Sequence, residues 1–372
     1  MVGEKIFIIA GEASGDLHAS NLVKALNKQS EKLQFRGLGG ELMEQQGVEI
    51  LKHYKTMAFM GFAEVIANIR TIAKNFKLVK GWISDFNPDL IILVDYPGFN
   101  MRIASWAKER GIKVVYYISP QVWAWKEGRV KKLKTTVDKM LCILPFEVDF
   151  YAKHNMEATF VGHPLLDAIA SRNPGVEAEF RAKWNLDSDK KIIAVLPGSR
   201  KQEIERMLPE FLTLQKKYPE YLFVLAKAPS QEDEFYAQYT QNSPIEAVRD
   251  TYGLLEHSYA AIVTSGTATL ETALFKVPQV VCYKGGNISY QIAKRLVKIP
   301  YISLVNLVLN REVVKELIQN DFTPYQLEQY FSNLLKEDYR QSLLNNYEEL
   351  REKLGGEGAS ANAANEILHL LN

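Results

Sequence analysis

The stretch LIILVDYPGFN (residues 90–100) leads into an amphipathic segment from Ile103 to Arg110 and then into the apolar run KVVYYI at 113–118. Two β-rich runs separated by a helical segment predict parallel strands joined by a helical crossover. The same alternation begins at KIFIIA (5–10), which is followed by a helical segment from Leu17 to Lys28, and continues through MLCIL and ATFVG. The first half of the chain is therefore predicted to be a doubly wound α/β unit.

The alternation stops near Pro164 and resumes after a polar, helical-looking connection that spans residues 168–189. It resumes with four strand-like runs: KIIAVLPGSR, YLFVLA, AAIVTSGTATLE and PQVVCY. A second doubly wound unit is therefore expected after the first. Open α/β sheets bind ligands beyond the carboxyl ends of their strands, so we expect the active site in a cleft between two facing units.

The 372 residues divide into three predicted parts. They are a first domain at 1–165, a second domain at 166–345 and helices at 346–372 that pack back on the first domain. From Thr323 onward the chain has no strand-like run and reads as successive helices. Three glycines are expected to interrupt this helical tail, namely Gly355, Gly356 and Gly358.

The overall charge of the chain is balanced, with 45 basic and 44 acidic side chains. This balance argues against wholesale binding to nucleic acid. Cys142 and Cys282 stand in apolar runs without metal-ligand spacing, and the six histidines are scattered, so neither a metal site nor a cofactor is predicted. The apolar run at the start of the chain is strand-sized, and no apolar stretch has the ~18 residues of a spanning helix. Any bilayer contact is expected to be peripheral.

GEASGD (11–16) follows the first predicted strand and precedes a helix. Its small residues, among them Ser14 and Gly15, allow a ligand to approach the backbone N–H groups, with Asp16 beside them. A tight turn capped by Ser or Asp explains the same residues equally well. The segment fits neither the dinucleotide nor the P-loop pattern.

Asp95 ends an apolar strand and passes into a Pro-Gly turn, the position of a general base at the mouth of a sheet. A turn-forming or helix-capping Asp is the alternative. The next predicted strand ends in SPQVWAW (119–125) and brings Ser119, Gln121 and Trp123 to the same edge. Tryptophan and glutamine beside a proline are suited to line a sugar or acyl pocket, although two tryptophans also fit a core.

The second unit contains two polar loops that each open a helix. In LPGSR (196–200), Gly198, Ser199 and Arg200 combine a helix N-terminus with a bidentate cation and so predict a diphosphate site. SGTATLE (265–271) presents small hydroxyl residues and then a carboxylate that could accept both ribose hydroxyls. These candidate nucleotide contacts are Ser265, Gly266, Thr267, Ala268 and Glu271. A plain helix start with a Ser or Thr cap is the alternative for either loop.

Apolar residues recur at helical spacing from Val65 to Ile83, with basic residues on another side. Such a stripe is more often core than membrane anchor. The flank MAFMGF nevertheless suits an interfacial helix. The candidate membrane contacts are Met57, Phe59, Met60 and Phe62.

Ten motifs in this order resemble lipid-A-disaccharide synthase over nearly the whole chain. They are GEASGD, MGFAEV, VDYPGFN, YISPQVWAWK, LPFE, VGHP, LPGSR, SGTATLE, AKRLVK and SLVNL. The resemblance implies a GT-B fold and an inverting, metal-independent glycosyltransferase on the cytoplasmic face of an inner membrane. The implied substrates are UDP-2,3-diacylglucosamine and 2,3-diacylglucosamine 1-phosphate (lipid X), and the implied products are a β-1,6-linked disaccharide 1-phosphate and UDP.

Residue by residue, Asp95 resembles the essential aspartate of that family and Arg200 resembles its arginine at the nucleotide. Asn306 in SLVNL matches an asparagine of the second-domain signature and is included among the substrate-binding candidates. A homodimer is compatible with the resemblance. Two rival functions on the same architecture are a UDP-sugar 2-epimerase and a non-catalytic nucleotide-sugar-binding module.

Overall fold

The computed structural model describes residues 4–56, 69–186, 189–241, 243, 245–286, 290 and 299–371, without the side chains of residues 69, 70 and 125. Its internal contacts divide the chain into two compact units. Unit 1 contains the chain up to Ser171 and again from Leu354 onward, and unit 2 runs from Arg172 to Lys353.

Unit 1 is built on a seven-stranded sheet in the order β3-β2-β1-β4-β5-β6-β7, with every pair parallel. The order reverses between β1 and β4, which is the switch point of a doubly wound sheet. The strands are β1 (Lys5–Ala10), β2 (Gln34–Gly39), β3 (Glu49–His53), β4 (Leu90–Val94), β5 (Lys113–Tyr117), β6 (Lys139–Cys142) and β7 (Thr159–Phe160).

Helices cover both faces of this sheet. They are α1 (Ala13–Gln29), α2 (Glu41–Gln45), α3 (Ile69–Phe86), α4 (Pro97–Lys108), α5 (Val122–Trp125), α6 (Val130–Thr136), α7 (Phe146–Ala152) and α8 (Pro164–Ala170). All five side chains of β4 are buried. Ile91 and Leu93 enter one core cluster while Leu90 and Ile92 enter the other. A continuous apolar run is thus needed because the strand is buried on both faces.

Unit 2 repeats the architecture with a six-stranded parallel sheet in the order β10-β9-β8-β11-β12-β13. Its strands are β8 (Ile192–Leu196), β9 (Leu222–Ala226), β10 (Glu246–Val248), β11 (Ser258–Thr264), β12 (Gln279–Tyr283) and β13 (Lys315–Ile318). Its helices are α9 (Glu177–Lys183), α10 (Lys201–Lys217), α11 (Asp233–Thr240), α12 (Thr251–Glu256), α13 (Thr267–Leu274), α14 (Leu304–Leu309), α15 (Pro324–Leu334) and α16 (Glu337–Lys353).

The last helix, α17 (Ala359–Leu371), belongs to unit 1, where it packs against α1. Ala363, Ala364 and Ile367 are buried in the core cluster that also holds one face of β1 and β4. The carboxylate of Asp167 accepts hydrogen bonds from the backbone N–H groups of Gly358 (2.6 Å) and Ser360 (2.8 Å). These bonds satisfy donors at the helix start that would otherwise be unpaired.

The predicted fold class is confirmed in its two parallel α/β sheets and its helical tail. The glycines expected to interrupt the tail have φ values of +89°, +69° and +105°. Four strands escaped prediction, namely β2, β3, β10 and β13. They carry glycine or charged residues, so they lack the apolar run of a central strand. No helix among the residues described combines the length and apolar character needed to cross a membrane.

Candidate functional site

The register of the first sheet brings four loops of unit 1 to one edge. Ala10 pairs with Val94, Val94 with Tyr117, and Tyr117 with Leu141. Since the strands are parallel, their carboxyl ends meet there. The loops that follow β1, β4, β5 and β6 therefore lie side by side, and Asp95 stands at the end of a central strand of the set.

The backbone at Asp95 is in a sparsely populated conformation. Asp95 (φ +44°) and Tyr96 (φ +47°) are consecutive non-glycine residues in the left-handed region, a strain of order 1–3 kcal/mol each. The carbonyl of Asp95 accepts hydrogen bonds from the side-chain amide of Asn100 (2.8 Å) and the hydroxyl of Tyr116 (2.7 Å). Asn100 and Tyr116 are fully buried, so their hydrogen bonds hold this turn in its strained conformation.

The carboxyl group of Asp95 is poised to exchange a proton near neutral pH. Burial is the largest cause that raises its pKa from 3.8 to about 7, the negative charge of Glu12 is the next, and a hydrogen bond from the backbone of Tyr96 opposes both. A carboxylate with a pKa near the working pH is suited to act as a general base. Glu12, which was not predicted as a site residue, is thus an electrostatic part of this site.

The GEASGD loop contacts the turn at Asp95 through Gly11. A Cβ atom at Gly11 would stand 2.4 Å from the ring carbons Cγ and Cδ1 of Tyr96, so only glycine fits. Ser14 is exposed and Gly15 is buried. The buried carboxylate of Asp16 accepts hydrogen bonds from the backbone N–H groups of residues 40, 42 and 43 (2.7, 3.1 and 3.2 Å). Asp16 thereby caps α2 within its own unit.

The loop after β5 is attached to α7, the helix that follows β6. The hydroxyl of buried Ser119 lies 2.8 Å from that of Tyr151, and Trp123 donates its indole N–H to Glu147 Oε1 at 3.0 Å. Gln121 is exposed in the same loop. Burial, against several smaller hydrogen-bond contributions, raises the pKa of Glu147 to about 7. Glu147 was part of a recognised motif but was not predicted as a site residue.

In unit 2, the loop after β8 contains the predicted diphosphate residues. Gly198 has a φ of +105°, and Arg200 directly precedes α10. The side chain of Arg200 is 65% exposed, and its Nη1 donates to Glu203 Oε1 at 3.0 Å. The carbonyl of Ser199 accepts a hydrogen bond from Ser230 (2.9 Å) in the loop after β9. A largely exposed guanidinium beside a helix N-terminus is suited to bind an anion.

The loop after β11 lies next to the loop after β8, because Val263 pairs with Leu196. Gly266 has a φ of +153°, and a Cβ there would meet no atom within 4 Å. Thr267 is exposed, and Ser265 and Ala268 are half-buried. In α13, the helix that follows this loop, Glu271 accepts a hydrogen bond from the hydroxyl of Tyr252 (3.1 Å), and burial raises the pKa of its carboxyl group.

Asn306 supports the second site from within the fold. Its fully buried amide donates to Val314 O and Glu316 Oε1, both at 2.8 Å, and accepts from two backbone N–H groups. Glu316 in turn accepts from the N–H of Ile302 (2.9 Å), whose carbonyl accepts from the hydroxyl of Ser265 (2.9 Å). Asn306 is therefore linked to Ser265 through the protein interior.

Most of the predicted site residues fall into two groups, one at the strand ends of each unit. Asp16 and Asn306 use their polar groups on the backbone or side chains of their own units. Met57, Phe59, Met60 and Phe62 lie outside the described residues. Across the part of the chain that the structure describes, no group of three or more His, Cys, Asp or Glu side chains is arranged to hold a metal ion.

This chain is similar in sequence to proteins of known family. A model of the family described as lipid-A-disaccharide synthetase matches residues 6–369. A lipid-A-disaccharide synthase from Trichlorobacter lovleyi is 39% identical over 376 residues, covering 99% of this chain and 98% of that protein.

Two solved structures share the fold at low sequence identity. UDP-GlcNAc 2-epimerase from Neisseria meningitidis, bound to UDP-GlcNAc, is 12% identical with a TM-score of 0.68, covering 98% of this chain and all of that one. The calicheamicin glycosyltransferase CalG4 is 15% identical with a TM-score of 0.60, covering 100% of this chain and 99% of that one.

The tandem parallel sheets, with their polar loops at the strand ends, have the GT-B fold, which the calicheamicin glycosyltransferase shares. The match over nearly the whole chain is more specific. The chain belongs to the lipid-A-disaccharide synthase family. It is a hexosyltransferase of lipid A biosynthesis, and this family membership implies a nucleotide-sugar substrate and a lipid substrate.

Proposed function

We propose that the chain transfers 2,3-diacylglucosamine from UDP-2,3-diacylglucosamine to the 6-hydroxyl of 2,3-diacylglucosamine 1-phosphate, with inversion at the anomeric carbon. The observation that carries this proposal is Asp95, a carboxyl group with a pKa of about 7 at the end of a central strand. A transferase that activates an alcohol needs a base that is ionised yet able to hold a proton at working pH.

In the proposed step, Asp95 takes the proton of the 6-hydroxyl while that oxygen attacks the anomeric carbon. A new carbon–oxygen bond forms on one face, and the bond to the β-phosphate of UDP breaks on the opposite face. The bonding electron pair leaves with the phosphate oxygen. General-base assistance of this kind contributes ~10²- to 10⁴-fold to the rate.

We assign the stabilisation of the negative charge that develops on UDP to groups of unit 2. Arg200 supplies a guanidinium, and the N-termini of α10 and α13 supply backbone N–H groups with the positive end of the helix dipole. The open space around Gly266 favours close approach of a phosphate or ribose to the backbone. Glu271 is the candidate acceptor for the ribose hydroxyls, and Ser265 lies at the start of the same loop.

The substrate and product assignment is tested by incubating the purified chain with synthetic acylated donor and acceptor. Mass spectrometry should detect the disaccharide 1-phosphate, and the anomeric proton coupling in the NMR spectrum should identify a β linkage. An α-linked product would reject inversion, and the absence of disaccharide would reject the reaction itself. Incubation with UDP-N-acetylglucosamine alone separates the rival epimerase, which converts this substrate without an acceptor.

Because donor and acceptor both carry acyl chains, the proposed reaction belongs at a lipid surface. We assign peripheral contact with the cytoplasmic face of the inner membrane to residues 57–62, which contain two methionines and two phenylalanines. Aromatic and methionine side chains beside a basic amphipathic segment are suited to the interfacial region of a bilayer.

A further inference from the structure

One face of the short helix α7 holds the loop that follows β5 at two points. Glu147 and Tyr151 are four residues apart and so lie on the same side of the helix. Tyr151 pairs with Ser119 at the start of the loop, and Glu147 accepts from the indole N–H of Trp123 near its end. The ring of Trp123 also meets Phe146 edge-on, with centroids 4.9 Å apart and planes at 89°. These contacts fix the orientation of the indole.

A carboxylate suits this position because two donors converge on it. Oε1 accepts the indole N–H of Trp123, and Oε2 accepts the backbone N–H of Leu144, each at 3.0 Å. A glutamine would offer one acceptor oxygen and turn its NH₂ group toward the second donor. Glu147 is 1% exposed, and its ionised form is disfavoured there. Burying a carboxyl group costs free energy of folding. We therefore expect the carboxyl group at this position to serve a function.

Trp123 is half-buried and lies in the loop after β5, the strand beside the one that ends at Asp95. Aromatic rings whose polar end is already bound present an apolar face, which suits the C–H face of a sugar or an acyl chain. We infer that Glu147 is a positioning residue that holds the indole of Trp123 as one wall of the acceptor-sugar site, and that it thereby governs acceptor binding. This inference rests on the proposed function, in which the acceptor meets Asp95.

Steady-state kinetics on the full chain tests the inference, with the acceptor varied at saturating donor and then the donor varied at saturating acceptor. Glu147→Gln should raise the KM for the acceptor about tenfold, the size expected for one lost buried hydrogen bond, with kcat and donor KM within about twofold of wild type. Trp123→Phe keeps an aromatic ring but removes the donor, and it should raise the acceptor KM similarly. The double variant should be no worse than Trp123→Phe alone, because both changes break the same contact.

Asp149→Asn is the matched control, because it removes the same charge from an exposed position on the same helix; it should keep wild-type constants. An unchanged acceptor KM in Glu147→Gln, an equal rise in Asp149→Asn, or effects that multiply in the double variant would overturn the inference. If Glu147→Gln fails to fold in a thermal melt, Trp123→Phe decides, and an unchanged acceptor KM then counts against it. A wild type that forms no disaccharide would instead overturn the proposed function.

Discussion

The two units present different chemistry at equivalent places in one topology. In each sheet the fourth strand pairs with the first, so the turn after β4 corresponds to the turn after β11. In unit 1 that turn holds Asp95 and Tyr96 in left-handed conformations, pinned by buried side chains. In unit 2 it holds Ser265 and Gly266, with open space beside the glycine. One turn fixes a carboxyl group, and the other leaves its backbone open to a ligand.

The charges of the two sites differ in the same way. Unit 1 gathers Glu12, Asp95 and Glu147 at its strand ends, and burial raises the pKa of the last two to about 7. Unit 2 offers exposed Arg200 next to the N-terminus of a long helix. A site with titrating carboxyl groups is suited to proton transfer, and a site with a guanidinium beside a helix N-terminus is suited to a leaving diphosphate. Variants in each site should therefore fail in different ways.

Asp95→Asn should cause the largest loss, lowering kcat by ~10²- to 10⁴-fold because the proposed general base is gone. Asparagine tolerates the left-handed conformation that Asp95 adopts, so the turn should persist. Binding of UDP, measured by calorimetry, should stay within about twofold of wild type. Turnover equal to wild type would remove Asp95 from the mechanism.

A thermal melt of Asp95→Asn shows whether lost turnover reflects lost structure. The pKa of Asp95 is raised from 3.8 to about 7 in the folded chain, so its ionised form destabilises the wild type above that range. The variant lacks this cost. It should melt at a higher temperature than wild type above a pH of about 7, and the gain should shrink as the pH falls through about 7 toward 3.8.

Arg200→Ala should be the next most damaging change, lowering kcat/KM by ~10²-fold and weakening UDP binding as well. The weaker UDP binding separates it from Asp95→Asn, because the guanidinium is assigned to the ground-state diphosphate as well as to the departing one. Arg206→Ala removes the same side chain from an exposed site on the same helix and should behave as wild type. If Arg206→Ala weakens UDP binding equally, the general charge of α10 is responsible.

The sequence was enough to predict the central strands and the loops at their ends. Runs such as LIILV and IIAVL are buried on both faces, so the sheet environment itself requires continuous apolar residues. A continuous apolar run is not required in the edge strands β3 and β10 or in β2, which contains two glycines. Their assignment depends on pairing with partners elsewhere in the chain, which a local pattern does not contain.

The candidate site was predictable in its loops but not in its supports. Asp95 stands at a strand end and was visible locally, whereas the hydroxyl of Tyr116 that holds its carbonyl comes from 21 positions away. Glu147 pairs with Trp123 over 24 positions. Asp16 was predicted as a ligand contact, and the structure uses its carboxylate to cap α2. Residue type and spacing indicate chemistry at a loop, but hydrogen-bond partners at long range depend on the folded register.

Gly11→Ala should have a smaller effect, since it disturbs the turn without removing the base. The added methyl group would stand 2.4 Å from the ring of Tyr96, and overpacking of this kind costs about 1–3 kcal/mol of stability. We expect kcat to fall about tenfold as Tyr96 and Asp95 shift. Gly98→Ala is the matched control, since its Cβ would meet no atom within 4 Å; its activity should match wild type and its melting temperature should not fall, because alanine is favoured over glycine in a helix.

The smallest effect concerns the charge of Glu12 and appears in the pH profile. A protonated Asp95 cannot accept a proton, so kcat/KM should rise with pH through about 7, the pKa of its carboxyl group. Glu12→Gln removes a negative charge that raises this pKa, so the rising limb should move to lower pH. The maximal rate should change little, because the base itself remains.

Glu127→Gln, a charge loss at an exposed position of the same unit, should leave the limb in place. A limb that stays put in Glu12→Gln would mean that the charge of Glu12 has no effect on Asp95 and would leave burial as the cause of the raised pKa. A move to higher pH would mean that Glu12 stabilises the ionised form of Asp95, opposite to the expected effect.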